Sequence, residues 1–181
     1  MITSLNKILK GSQMQFKRRS FLILGTLLGI SPYVSAKEVS VYEKEFKEVK
    51  QTIEAVQRHM FPKGSTLPSA QSMNVTQFLY ETMLHKSFDR DIKAFVLEGA
   101  RELISREKGH FVSMTQIQKE KALRSYEKTN YGSSWLSRIM TLTMEGMFSD
   151  PIYGANTKEA GWKSVGAYGG YPRAKIKYMG L

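Results

Sequence analysis

Apolar residues recur at helical spacing along most of this chain. Between Ser40 and Met60, the residues Val41, Phe46, Val49, Ile53, Val56 and Met60 fall three, four or five positions apart. Glu43, Lys44, Lys47, Glu48, Lys50 and Glu54 occupy positions between them. This is one apolar stripe on a helix whose other side faces water. Phe61-Pro62-Lys63-Gly64 ends it, because proline forbids continuation and glycine accepts the turn. A loop is expected over 63–73. Asn74 with Gln77 three residues on predicts a capped helix start. Phe78, Leu79, Met83 and Leu84 give that helix its apolar face.

A break is expected between Ser87 and Asp91, with Ser87 or Asp89 capping the next helix. Its stripe is Ile92, Phe95, Val96, Gly99, Leu103 and Ile104, and Gly99 within it permits a close helix crossing. Lys108-Gly109 closes that helix, basic residue first and glycine after. Thr115 with Gln118 is a second capping box. It opens a mostly polar helix to about Lys128, anchored by Ile117, Leu123 and Tyr126. Tyr131-Gly132-Ser133-Ser134 reads as a turn, and Trp135 to Met147 as the most apolar helix. Residues 148–181 change character: rich in Gly, Tyr and Pro, they keep no period. No alternating pattern is long enough for a strand. The predicted fold is mainly α, a small helical bundle of four or five helices with an irregular Gly/aromatic-rich C-terminal segment laid over it.

The N-terminus has a different layout. Arg18-Arg19 stands directly before Phe21-Leu22, then comes the apolar run to Ile30 and the small residues ending at Ala36. A bilayer span needs ~20 apolar residues. The shorter run fits the hydrophobic region of a signal peptide, with an A-x-A-like cleavage site at Ala36. The spacing of Arg18, Arg19, Phe21 and Leu22 is that of a twin-arginine export signal, and Gly25 and Gly29 keep the run only moderately hydrophobic, which favours that route over its alternatives, an ordinary secretory signal or an uncleaved membrane anchor. The expected domains are therefore a signal peptide at 1–36 and one helical domain at 37–181. Cleavage would deliver the mature chain to the periplasm.

Charge shifts with that boundary. The whole chain carries +11, but 1–36 holds five basic residues and no acidic one. The mature part keeps 22 basic and 16 acidic residues, a net charge of +6. It has no dense Lys/Arg stripe interleaved with aromatics, so nucleic-acid binding is not expected. The absence of cysteine excludes disulfides, iron–sulfur clusters, covalent haem attachment and thiolate catalysis in this chain.

His59, His85 and His110 form no HExxH or paired pattern, so no metal site is expected. Asp89 and Asp91 beside Arg90 are better placed for capping than for acid–base work. No Gly-x-Ser-x-Gly, P-loop or dinucleotide fingerprint is present. The glycines Gly166, Gly169 and Gly170 follow no strand. Catalytic, cofactor-binding and metal residues are accordingly expected to be none.

The segment Phe148-Ser149-Asp150-Pro151-Ile152-Tyr153-Gly154-Ala155-Asn156, continued by Gly161-Trp162-Lys163 and Gly166, has the composition of a shaped loop. Asp150-Pro151 initiates a turn, and Gly154 and Asn156 tolerate positive φ. Its large rings suit either a protein partner or the closing of the bundle itself.

These residues resemble the C-terminal signature of the gluconate 2-dehydrogenase subunit 3 family, and a twin-arginine signal is typical of that family. The resemblance implies a small helical subunit without a cofactor of its own. It implies a flavoprotein partner of the glucose-methanol-choline type carrying FAD, and a possible multi-haem cytochrome c subunit with haem c. It also implies passage of the folded pair through the twin-arginine translocase, and a place at the periplasmic side of the inner membrane. Partner binding is carried over onto Phe148, Asp150, Pro151, Tyr153, Gly154, Asn156, Gly161 and Trp162, within a segment set at 148–172. The alternative is an independent periplasmic helical binding protein or envelope factor, its aromatic loop packed on its own bundle.

Overall fold

The computed structural model describes residues 33–177, with side chains from 41 onward. Arg18, Arg19, Phe21 and Leu22 lie outside the described residues, and Ala36 lies in the first turn of the first helix. Contacts divide the chain into Met1–Lys37 and Glu38–Leu181, and the architecture described here is that of the second unit. Five long helices build it: α1 Tyr33–Met60, α2 Val75–Leu84, α3 Arg90–Arg106, α4 Gln116–Glu127 and α5 Asn130–Phe148. A one-turn helix, α6 Ala160–Ser164, follows two short turns. The fold is mainly helical, with no strand among the described residues.

The most apolar helix is the hub. α5 packs against α2, α3 and α4, and α1 joins them through Phe46, Val49, Ile53 and Val56 in one core cluster. At its centre Trp135 of α5 and Tyr126 of α4 lie 5.7 Å apart, ring to ring. Both reach into α3: Trp135 Nε1 donates to the Val96 carbonyl at 3.0 Å, and Tyr126 Oη to the Gly99 carbonyl at 3.1 Å. Gly99 makes the crossing possible, because a Cβ there would sit 2.1 Å from Trp135 Cδ1. Both rings are fully buried, so each polar hydrogen needs a partner, and the α3 backbone supplies it.

The caps follow local chemistry in part. Asp89 Oδ1 accepts from the Asp91 and Ile92 amides at 2.8 and 3.0 Å. Thr115 and Gln118 form the reciprocal capping box. Gly109, at φ +78°, donates its amide to Ile104 and closes α3.

Four expectations are corrected. Asn74 does not cap α2: it sits in the left-handed region with no capping bond, and Gln77 turns to Glu81 instead. Residues 131–134 belong to α5 and are not a turn. Thr129 caps that helix through the Gly132 amide at 2.9 Å while donating to the Tyr126 carbonyl, so the α4–α5 link shrinks to two residues. Ile117 is 84% exposed and anchors nothing, since the first turn of α4 faces solvent. Val41 is 47% exposed, near the start of the described side chains, and α1 is buried from Phe46 onward.

Candidate functional site

The chain beyond α5 folds back as a hook, and polar bonds define its course. Ser149 ends α5, its hydroxyl donating to the Gly146 carbonyl at 3.0 Å. Asp150 Oδ1 accepts from the Ile152 amide at 3.0 Å and so caps the short turn Pro151–Tyr153. Gly154 turns the chain at φ +85°, which is why glycine stands there. Its carbonyl accepts from Asn74 Nδ2 at 3.0 Å. Asn74 therefore trades a capping role for a tie between the start of α2 and the hook.

Asn156 is the keystone of the loop. It is completely buried and left-handed, at φ 50°. Nδ2 donates to the Ser149 carbonyl at 2.8 Å, and Oδ1 accepts from the Gly161 amide at 2.8 Å. One side chain thus pins both ends of a loop in which Lys158 and Glu159 are also left-handed. Each such non-glycine residue costs on the order of 1–3 kcal/mol, so the loop needs these bonds to hold its shape. Gly161 packs so tightly that a Cβ would lie 2.1 Å from the Met147 carbonyl. Trp162 half-buries its ring and donates Nε1–H to the Phe148 carbonyl at 2.7 Å.

Beneath the hook lies a second apolar cluster of Phe61, Ala70, Met73, Val75 and Met147, with Leu67, Phe148 and Ala160 against its edge. A buried polar relay adjoins it. Thr76 Oγ1 donates to Gln57 Oε1 at 2.6 Å, Gln57 Nε2 donates to Thr143 Oγ1 at 3.1 Å, and Thr143 donates to the Ile139 carbonyl at 2.7 Å. This chain of bonds satisfies the amide of a fully buried glutamine and locks α1, α2 and α5 in register.

The residues singled out from sequence therefore divide. Asn156 and Gly161 are buried and act inside the loop. Phe148, Asp150, Pro151, Tyr153 and Trp162 are half-buried, and Gly154 is exposed. All eight lie along one continuous hook, with Asp150 and Trp162 joined through Arg173. That guanidinium stacks 4.4 Å over the Trp162 ring and pairs with Asp150 at 3.3 Å and Glu159 at 3.5 Å. Sequence reasoning gave Asn74 only a capping role, quoted Ala155 without a role and passed over Arg173. Asn74 and Arg173 act over long sequence separations that no local pattern marks; an exception is buried Ala155, whose neighbours Gly154 and Asn156 already signalled a turn.

The histidines do not converge. His59 spans Gln116 Oε1 at 2.9 Å and Glu120 Oε2 at 2.6 Å, tying α1 to α4. The hydrogen bond from His59, and then that from Arg124, holds the Glu120 carboxyl below its ordinary range. His85 Nδ1 meets Ser87 Oγ at 2.7 Å, and the His110 carbonyl accepts from Ser113. Among the described residues no three His, Asp or Glu side chains gather as a metal site requires. A shallow cavity of about 360 Å³ opens beside His59, lined by Met60, Glu120, Arg124, Leu136 and Met140. Its mixed lining and exposed Glu120–Arg124 pair present no nucleophile paired with a base.

The residues of the hook and of four helices fall within a single family pattern. The family model described as gluconate 2-dehydrogenase subunit 3 matches residues 47–170. The chain belongs to the gluconate 2-dehydrogenase subunit 3 family. No curated protein and no solved structure matches it. Membership makes it an accessory subunit of a dehydrogenase complex, and the match runs from the buried face of α1 through the hook to Gly170.

Proposed function

We propose that this chain is the non-catalytic small subunit of a gluconate 2-dehydrogenase-like flavin dehydrogenase, which it stabilises and carries through the twin-arginine pathway. The family match over residues 47–170 carries this reading. The sequence supports it from the other end, since Arg18-Arg19 and the apolar run to Ile30 have the form of a signal for folded cargo.

The catalytic subunit is a glucose-methanol-choline-type flavoprotein that holds FAD, and a multi-haem cytochrome c takes its electrons onward. Hydride chemistry belongs to that flavoprotein, and the sequence of this chain carries no Gly-x-Gly-x-x-Gly dinucleotide fingerprint. The complex works in the periplasm, peripheral to the inner membrane. The hook from Phe148 to Trp162 serves the partner as a preformed, internally braced surface, so ordering it costs little at the moment of association.

The test is replacement of Arg18 and Arg19 by lysine. Dehydrogenase activity measured in fractionated cells is expected to stay in the cytoplasm. Normal periplasmic activity in that variant overturns the co-export role.

A further inference from the structure

We propose that the hook carries a guanidinium-binding site, made of the Trp162 ring, Asp150 and Glu159, which takes an arginine of the catalytic subunit and is closed in the free chain by Arg173. The identity of the occupant rests on the subunit reading above; the site rests on what the hook already holds.

The seat has the chemistry a guanidinium needs. Trp162 offers a ring face, and Arg173 stacks over it at 4.4 Å. Two carboxylates flank the ring, Asp150 at 3.3 Å and Glu159 at 3.5 Å from the same guanidinium. A planar cation that both stacks and pairs is arginine rather than lysine. The seat keeps its shape without the tail. Asp150 uses only Oδ1 on the turn, accepting from the Ile152 amide, and leaves Oδ2 for the cation. Trp162 is fixed by its own bond to the Phe148 carbonyl, and the Glu159 amide by the Asn156 carbonyl at 2.9 Å.

Arg173 fits this seat loosely. Both ion pairs run through one nitrogen, Nη2. A forked arginine–carboxylate pair uses two nitrogens, at about 2.7–2.9 Å. The tail's guanidinium therefore answers the charge of the seat and not its bonding geometry. Elsewhere the tail is lightly held. Val165, Tyr168, Tyr171 and Ile176 are exposed, so lifting it uncovers little apolar surface. Lys177 pairs with Glu81 at 3.6 Å across open surface, and such pairs are weak. Gly169 lets the tail cross the ring, since a Cβ there would lie 2.3 Å from both Trp162 Cη2 and Arg173 Nη1.

The family match separates the seat from its present occupant. Asp150, Glu159 and Trp162 lie within residues 47–170, and Arg173 lies beyond them. The shared pattern thus spans the seat but not the residue that fills it here. In a chain that belongs to a multi-subunit complex, the guanidinium that displaces Arg173 comes from the subunit it serves. An arginine presented by a rigid partner surface meets the carboxylates with its fork, so exchange is favoured and the tail lifts away.

The site is tested on the full chain by the indole N–H resonances of its two tryptophans. In Arg173→Ala, acetyl-arginine amide at about millimolar concentration is expected to shift the Trp162 resonance saturably, and acetyl-lysine amide far less. The Trp135 indole, buried and bonded to the Val96 carbonyl, is expected to stay in place. No shift at Trp162, or an equal shift with both amides, overturns the site.

The occupant is tested by affinity recovery of the tagged full chain from its native cells. The extract is diluted until the unaltered chain captures the flavoprotein incompletely, and flavin absorbance per chain is read. Arg173→Ala, with its seat open, is expected to recover about twofold more flavin or better. Asp150→Asn/Glu159→Gln keeps the Oδ1 acceptor and removes both charges; it is expected to recover about fivefold less flavin, with an unchanged thermal transition. If Arg173→Ala recovers no more than the unaltered chain, or the double variant recovers as much, the exchange is overturned and the subunit reading stands. An unaltered chain that recovers no flavoprotein overturns the subunit reading and the partner's arginine with it, while the indole titration still decides the site. If Arg173→Ala instead abolishes self-association in sedimentation, the seat takes Arg173 of a second copy and the proposal falls.

Discussion

At the centre of the bundle, Trp135, Tyr126 and Gly99 interlock two rings and a bare backbone, and apolar burial does most of the holding. In the hook, between Phe148 and Trp162, the chain takes left-handed turns that an ordinary residue resists, and it is held by an asparagine, a glycine and an indole N–H. The first region loses stability when volume changes. The second loses shape when a single polar bond is removed, even if the bundle stays folded. Regular packing sets the platform, and irregular, polar-braced backbone sets what the platform presents.

The largest effect is expected in the bundle. Trp135→Ala should cost about 3–5 kcal/mol in urea or thermal unfolding, because a buried ring leaves a cavity and the Val96 carbonyl loses a donor. Gly99→Ala comes next, at about 1–3 kcal/mol, since the new methyl must displace the Trp135 ring and a tight core repays overpacking with strain. A neutral or stabilising result would show that the crossing relaxes easily and would blur the distinction between the two regions.

Asn156→Ala tests the hook. The Ser149 carbonyl and the Gly161 amide lose their partner, at about 1–3 kcal/mol for each buried group left unpaired. The loss should appear as faster amide hydrogen exchange from Ser149 to Trp162, with a smaller change in the global transition. Equal loss of protection in α3 and α5 would mean that hook and bundle unfold as one unit.

Tyr126→Phe keeps the ring and deletes one buried hydroxyl bond, worth about 1 kcal/mol near neutral pH. The same residue gives the bundle a pH signature. Burial pushes the Tyr126 phenol well above its ordinary value of 10.0, so its contribution is fully present below pH 10 and is lost as pH rises beyond it. Tyr131 and Tyr80 shift in the same direction, for the same first cause. Alkaline unfolding followed by circular dichroism should therefore be shallower in the Phe variant.

The smallest effect is expected at Glu120, on the surface beside His59. Its carboxyl is held below the ordinary 4.5, so what it contributes is present above that pH and fades as pH falls through the lowered value. Glu120→Gln should flatten acid unfolding only slightly, since exposed pairs are weak.

The helices were legible because each carries its own period, and the bundle class followed from their number and apolar stripes. Asp89 and the Thr115–Gln118 box were legible as caps because a cap is read within four residues. Gly99 was legible because a small residue in an apolar stripe has few other uses. By itself the sequence also marked Gly154 and Asn156 as turn residues, through the backbone angles they tolerate. Only the tertiary structure decided what those turns serve. It moved Asn74 from capping α2 to holding Gly154, drew residues 131–134 into α5 through Thr129, and set Arg173 between Trp162 and two carboxylates. The physical reason is range: periodicity and capping act over one or two turns of chain, whereas these bonds join residues brought together only once the bundle has closed.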